Sequence, residues 1–274
     1  MANALIVFTP RSGSTIVAEL LAHKYNALNL DEFIHGDIRG TLDNKLPAGV
    51  REMVRNAPSL GEQPKPLILK KTPILSDLLD SRLEVVKNIA KDHEIVFKLF
   101  PSFVTPGINI IEWAIENNFE LYFIHRKNKR EQIYSYVLAN CKAKLYEEAK
   151  KSGKLSMHRS AGFLNVRNAT RVIFPPIKLS REEIIRYAAL LCNINGCYNC
   201  ISRKYKDYGK HLSYENTIAK KDYTAFGIDK KIVDSYAQQP ESIRPTYDYE
   251  IGSEIVNWDE VVEVFNKFDV VADE

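Results

Sequence analysis

Apolar residues along this chain fall into short unbroken runs, separated by longer stretches in which they recur every three or four positions. The runs at 4–8, 67–69, 95–99 and 121–125, with a weaker one at 171–174, read as strands. The periodic stretches at 14–25, 47–56, 74–92, 108–117, 130–151, 180–208, 228–236 and 259–268 read as helices. Pro47 suits a first helical turn, and Ser180 followed by Glu182 and Glu183 puts negative charge at a positive helix end. Unbroken apolar strands alternating with amphipathic helices predict an α/β fold, a parallel sheet covered by helices on both faces. Two stretches, 153–174 and 238–255, follow neither period and read as long loops, which in a compact domain commonly carry function. With no repeat, low-complexity tract or Gly/Ser linker, the expected organisation is one domain over 1–274 with inserted loops near 36–66 and 153–178.

Composition narrows the class. The 274 residues are 45% hydrophobic and 27% charged, which excludes disordered, collagen-like and disulfide-scaffold chains. A net charge of +3 supplies no global field for nucleic acid or an anionic membrane, so any anion site must be local. The run at 4–8, ended by Pro10 and Arg11, is too short for a signal segment or a membrane span, and the expectation is a soluble cytoplasmic protein. Of four cysteines, Cys192, Cys197 and Cys200 make a C-x4-C-x2-C spacing shared with plant-type iron–sulfur sites. They fall within the helical pattern at 180–208, where cysteine reads as a small core hydrophobe. No Asp/His cluster suggests a metal, and none is expected.

The first chemical constellation is Thr9-Pro10-Arg11-Ser12-Gly13-Ser14-Thr15, lying between the strand at 4–8 and the helix at 14–25. The free N–H groups and dipole of a helix start make a site for phosphate or sulfate. Arg11 adds a fixed charge, Gly13 permits close backbone approach, and Ser12, Ser14 and Thr15 bring further donors. It is not a Walker A loop, since Gly13 rather than lysine precedes Ser14. The second constellation follows the strand at 121–125. Arg126 stands at its carboxyl end, the edge where open α/β sheets bind ligands. Ser135 follows at a spacing that lets a loop and about one helical turn bring both onto one phosphate.

The segment 9–15 resembles the 5′-phosphosulfate loop of sulfotransferases, which use 3′-phosphoadenylyl sulfate (PAPS) as sulfuryl donor. With Arg11 and Ser14 it is similar to the bacterial trehalose sulfotransferase type rather than to the cytosolic animal enzymes, which usually carry Pro-Lys-Ser-Gly-Thr-Thr. The run Arg126-Lys127-Asn128-Lys129 with Gln132 and Ser135 resembles the same type's Arg-Arg-Asp-Lys-x-x-Gln-x-x-Ser motif, in which the Arg and Ser hold the ribose 3′-phosphate. Val96-Phe97-Lys98-Leu99 resembles its strand ending in Lys-Leu, and the segment 211–218 resembles a Tyr-Glu-Asp-Leu stretch near sulfotransferase C-termini, with Tyr214 and Glu215 read as structural. The resemblance implies a P-loop-like three-layer fold, PAPS as co-substrate without a metal, a small hydroxylated acceptor such as a carbohydrate, and a homodimer.

Sulfuryl transfer to an alcohol needs a base, in-line positioning and charge stabilisation at the leaving phosphate. Arg11 and Lys98 supply charge. The cytosolic enzymes' histidine has no counterpart, since Lys98-Leu99-Phe100-Pro101 lacks one. The trehalose type is similar in carrying a Glu shortly after its first helix, which implies Glu32 as the base, with His35 second. The family's C-terminal Arg-Lys-Gly-x-x-Gly segment is absent, leaving Arg167, Arg171 or Arg244 as stand-ins and Tyr247, Tyr249 and Trp258 as candidates for adenine or for packing. The alternatives are a P-loop-type nucleotide or small-molecule kinase, and a catalytically inactive nucleotide-binding module.

Overall fold

The computed structural model describes residues 2–34, 45–58, 73–101, 104–151, 176–237 and 254–268. Among these, five strands are β1 (Ala4–Phe8), β2 (Leu28–Asp31), β3 (Ile95–Leu99), β4 (Glu120–His125) and β5 (Lys210–Ser213). The α-helices are α1 (Ser14–Tyr25), α2 (Ala48–Asn56), α3 (Pro73–Asp92), α4 (Val104–Glu116), α5 (Lys129–Lys151), α6 (Arg181–Lys204), α7 (Lys230–Ala237) and α8 (Trp258–Asn266). All strand pairs are parallel, in the order β2-β3-β1-β4-β5, so every strand ends at the same sheet edge. This is the expected α/β architecture with a central parallel sheet flanked by helices.

Alternation along the central strands sends successive side chains to opposite faces. Leu5, Val7, Phe97, Leu99, Leu121 and Phe123 join a core with α3, α4 and the end of α6. Ala4, Ile6, Phe8, Val96, Tyr122 and Ile124 join another with α1 and the 3₁₀ turn Thr224–Phe226. Full burial of each large aliphatic or aromatic side chain contributes about 1.5–3 kcal/mol. A third apolar cluster lies among α5, α6 and α8, beside the parallel bridge between Ile177 and Ile255. Helix α6 begins with a reciprocal cap: Ser180 Oγ accepts from the Glu183 N–H at 3.2 Å, and the Glu183 carboxylate accepts from the Ser180 N–H at 3.0 Å.

Strands β2 and β5 were not expected from the pattern. Each has four residues, lies at an edge, and carries polar residues (Asn29 and Asp31; Lys210, His211 and Ser213), so neither reads as an apolar run. The helix expected over 180–208 ends at Lys204 and passes into turns over 205–208. Its cysteines remain on one helix: Cys192 packs beside the third cluster and donates to the Phe268 carbonyl at 3.2 Å, and Cys200 is exposed. The strands expected at 67–69 and 171–174 lie outside the described residues, as do all of the 36–66 insertion except 45–58 and all of the 153–178 insertion except 176–178. No described helix is long and apolar enough to cross a membrane.

Candidate functional site

The loop after β1 is built on two left-handed residues, Arg11 (φ 61°) and Gly13 (φ 74°), which fold it tightly onto the start of α1. Gly13 is the N-cap and makes no side-chain cap; α1 has no acidic residue in its first turn. Among the described residues, the N–H groups of 12–15 have no acceptor, while the Gly13 carbonyl accepts from Ile16 at 3.1 Å. Ser12 Oγ and Thr9 Oγ1 are buried without a hydrogen-bond partner among the described residues. Orphan donors at an uncapped helix start suit an anion, and nothing in the first turn opposes its charge. Segment 214–218 closes over the loop: a Cβ on Gly13 would stand 3.0 Å from Ile218 Cγ2 and 3.2 Å from Tyr214 Cδ2. Gly13→Ala is therefore expected to destabilise the protein by at least about 1–2 kcal/mol from backbone strain alone, seen as a lowered thermal midpoint. An unchanged midpoint would show that the loop relaxes freely.

Beside this loop, Lys98 near the end of β3 is 1% exposed. Its ammonium donates to Thr15 Oγ1 at 3.0 Å and to Glu32 Oε1 at 2.9 Å, and lies 2.7 Å from Asp31 Oδ1, off the line of a hydrogen bond. The strand β2 delivers both carboxylates. Its register with β3 slips between Asn29 and Asp31, Asp31 adopts φ 49°, and its N–H donates to Asn29 Oδ1 at 2.9 Å. Such a bulge re-aims side chains. Asp31 is buried, whereas the Glu32 side chain is 41% exposed.

On the other side of β1, Arg11 Nε donates to Ser135 Oγ at 2.9 Å, joining the loop to α5. Arg126, 7% exposed, donates to the Arg11 carbonyl at 3.3 Å and lies with its guanidinium 4.5 Å above the Tyr214 ring. It contacts the Glu131 carboxylate directly, and Glu215 Oε1 stands 3.9 Å from its Nε. Arg126 and Ser135 are thus both tied to Arg11, one through its backbone and one through its side chain. Gln132, fully buried, donates to the Pro10 carbonyl at 3.1 Å. Beneath them, burial first and the Lys129 charge next hold the His125 imidazole below the ordinary histidine range.

The structure therefore gathers Arg11, Ser12, Gly13, Ser14, Thr15, Glu32, Lys98, Arg126 and Ser135 along one sheet edge. His35, Arg167, Arg171, Arg244, Tyr247 and Tyr249 lie outside the described residues. Trp258 is buried and stands edge-on to Tyr134 at 5.1 Å, a packing role. Asp31 and Glu131 were not expected as site residues, and Gln132 was expected only as part of the motif at 126–135, with no role of its own. Tyr214 and Glu215, read as structural, lie against Arg126. No known family model matches the chain, and no curated protein matches it. Among solved structures, a "Sulfotransferase Domain from the Curacin Biosynthetic Pathway" is similar at 10% identity and a TM-score of 0.42, over 100% of this chain and 99% of that one.

Proposed function

We propose that this chain is a sulfotransferase that takes a sulfuryl group from PAPS and places it on a hydroxyl of a small acceptor, a carbohydrate or a comparable metabolite. The observation that supports it best is the continuity of the edge: Glu32 through Lys98 to Thr15, and across the loop from Arg11 to Ser135 and Arg126. It joins a base, a buried cation, an uncapped helix start and a second cationic position, the parts that the resemblance to the trehalose type requires.

The residues fit the donor's anionic groups. The free N–H groups of 12–15 and the orphan Ser12 hydroxyl suit the 5′-phosphosulfate, and Arg126 with Ser135 suits the 3′-phosphate. When bound, PAPS supplies an activated sulfuryl group and a phosphate leaving group. Glu32 accepts the proton of the acceptor hydroxyl on the carboxylate oxygen that Lys98 does not hold. Lys98 keeps that carboxylate oriented and sets a positive charge beside the loop, where negative charge grows. Arg11, anchored on Ser135, fixes the loop's shape. A homodimer and a cytoplasmic setting belong to the same reading.

Calorimetric titration with adenosine 3′,5′-bisphosphate and with ADP, each with and without magnesium, tests the donor assignment. The expected result is a metal-independent preference for the bisphosphate that falls about tenfold or more in Arg126→Ala, as loss of a charge-assisted contact requires. Preference for ADP with magnesium would overturn the reading and put a kinase in its place.

A further inference from the structure

Arg126 is faced by more negative charge than its own single positive charge balances. Two carboxylates, Glu131 and Glu215, face one guanidinium, which is otherwise enclosed by the Tyr214 ring and the Arg11 carbonyl. The two are held very differently. Glu215 is fixed in place by accepting the backbone N–H groups of Lys127 at 3.0 Å and Asn128 at 2.9 Å. Glu131 sits in the first turn of α5 with its side chain 36% exposed, and Arg126 is the only side-chain partner of its carboxylate among the described residues. Its backbone N–H donates to Asn128 Oδ1 at 3.1 Å, so the helix start is capped by another residue and does not depend on the Glu131 carboxylate.

We infer that Glu131 is an exchangeable counter-ion that occupies Arg126 until the 3′-phosphate of the donor displaces it, while Glu215 is the permanent one that aims Arg126. This rests on the proposed PAPS site. Displacement sets a threshold at this position, because a ligand must repay the lost Glu131 contact before it can engage Arg126. A dianionic phosphate, with three acceptor oxygens, repays it; a ribose hydroxyl does not. Once displaced, Glu131 turns to solvent at a helix start that favours negative charge.

Titration of wild type, Glu131→Gln and Glu131→Asp with adenosine 3′,5′-bisphosphate and with adenosine 5′-phosphate separates the possibilities. Both variants are expected to bind the bisphosphate about twofold to fivefold more tightly than wild type, with affinity for the 5′-phosphate unchanged, as removal of a partly exposed competing ion pair implies. Shortening the side chain in Glu131→Asp keeps the charge and the helix start, so agreement of the two variants excludes a folding effect. Unchanged or weaker bisphosphate binding in both would overturn the exchange while leaving the donor site intact. A wild type that does not prefer the bisphosphate over the 5′-phosphate would instead overturn the donor site itself, and the exchange with it.

Discussion

Lys98→Met is expected to lower the stability of the fold by about 3–5 kcal/mol, because it leaves the buried Asp31 carboxylate without its cation. Against a typical total of about 5–15 kcal/mol, that is a large fraction. The cause is the asymmetry of buried ion pairs. The complete pair contributes little over an apolar replacement, whereas half of it is costly. The double variant Asp31→Asn with Lys98→Met is therefore expected to recover most of the loss. Urea unfolding of the three proteins checks this, and equal midpoints for wild type and the single variant would show that Asp31 does not depend on Lys98. Sulfuryl transfer should remain impaired in the double variant, since the charge beside Thr15 is still missing.

Glu32→Gln is expected to lower turnover by about 10²-fold or more while leaving affinity for adenosine 3′,5′-bisphosphate unchanged. The amide oxygen can still accept from Lys98, so position is preserved and only the capacity to take a proton is lost. Single-turnover sulfuryl transfer to an alcohol identified by screening sugars, phenols and other hydroxyl compounds provides the measurement. Unchanged turnover would remove Glu32 from the mechanism. A parallel drop in bisphosphate affinity would mean that the substitution disturbed Lys98 and Thr15 rather than proton transfer.

The central strands were legible because a parallel strand buried on both faces must be apolar throughout, as Ala4–Phe8 and Ile95–Leu99 nearly are. Lys98 is the exception in its strand, and a lone charge in such a run signals a partner. What the sequence could not show was which partner. Asp31 reaches Lys98 only because β2 slips register and takes a left-handed residue, an event in a four-residue edge strand with no apolar pattern. Arg11 and Ser135 could each be named as site residues from their separate motifs, but the bond between them depends on how α5 docks on the loop, which no local period encodes. Glu131 and Glu215 could not be recognised as partners of Arg126, because solvated and ion-paired acids have the same sequence context.

The position of β1 in the sheet has a consequence for biogenesis. Among the described strands, β1 precedes both of its neighbours in the chain, and Ala4 pairs with Val96 on one side and Glu120 on the other. A nascent chain therefore carries an unpartnered apolar segment until both neighbours have left the ribosome, and closing loops of that length slows folding. The loop after β1 inherits this order of assembly. Its walls come from residues near 31, 98, 126, 135 and 214, so it takes shape only after β5 has docked at the far edge.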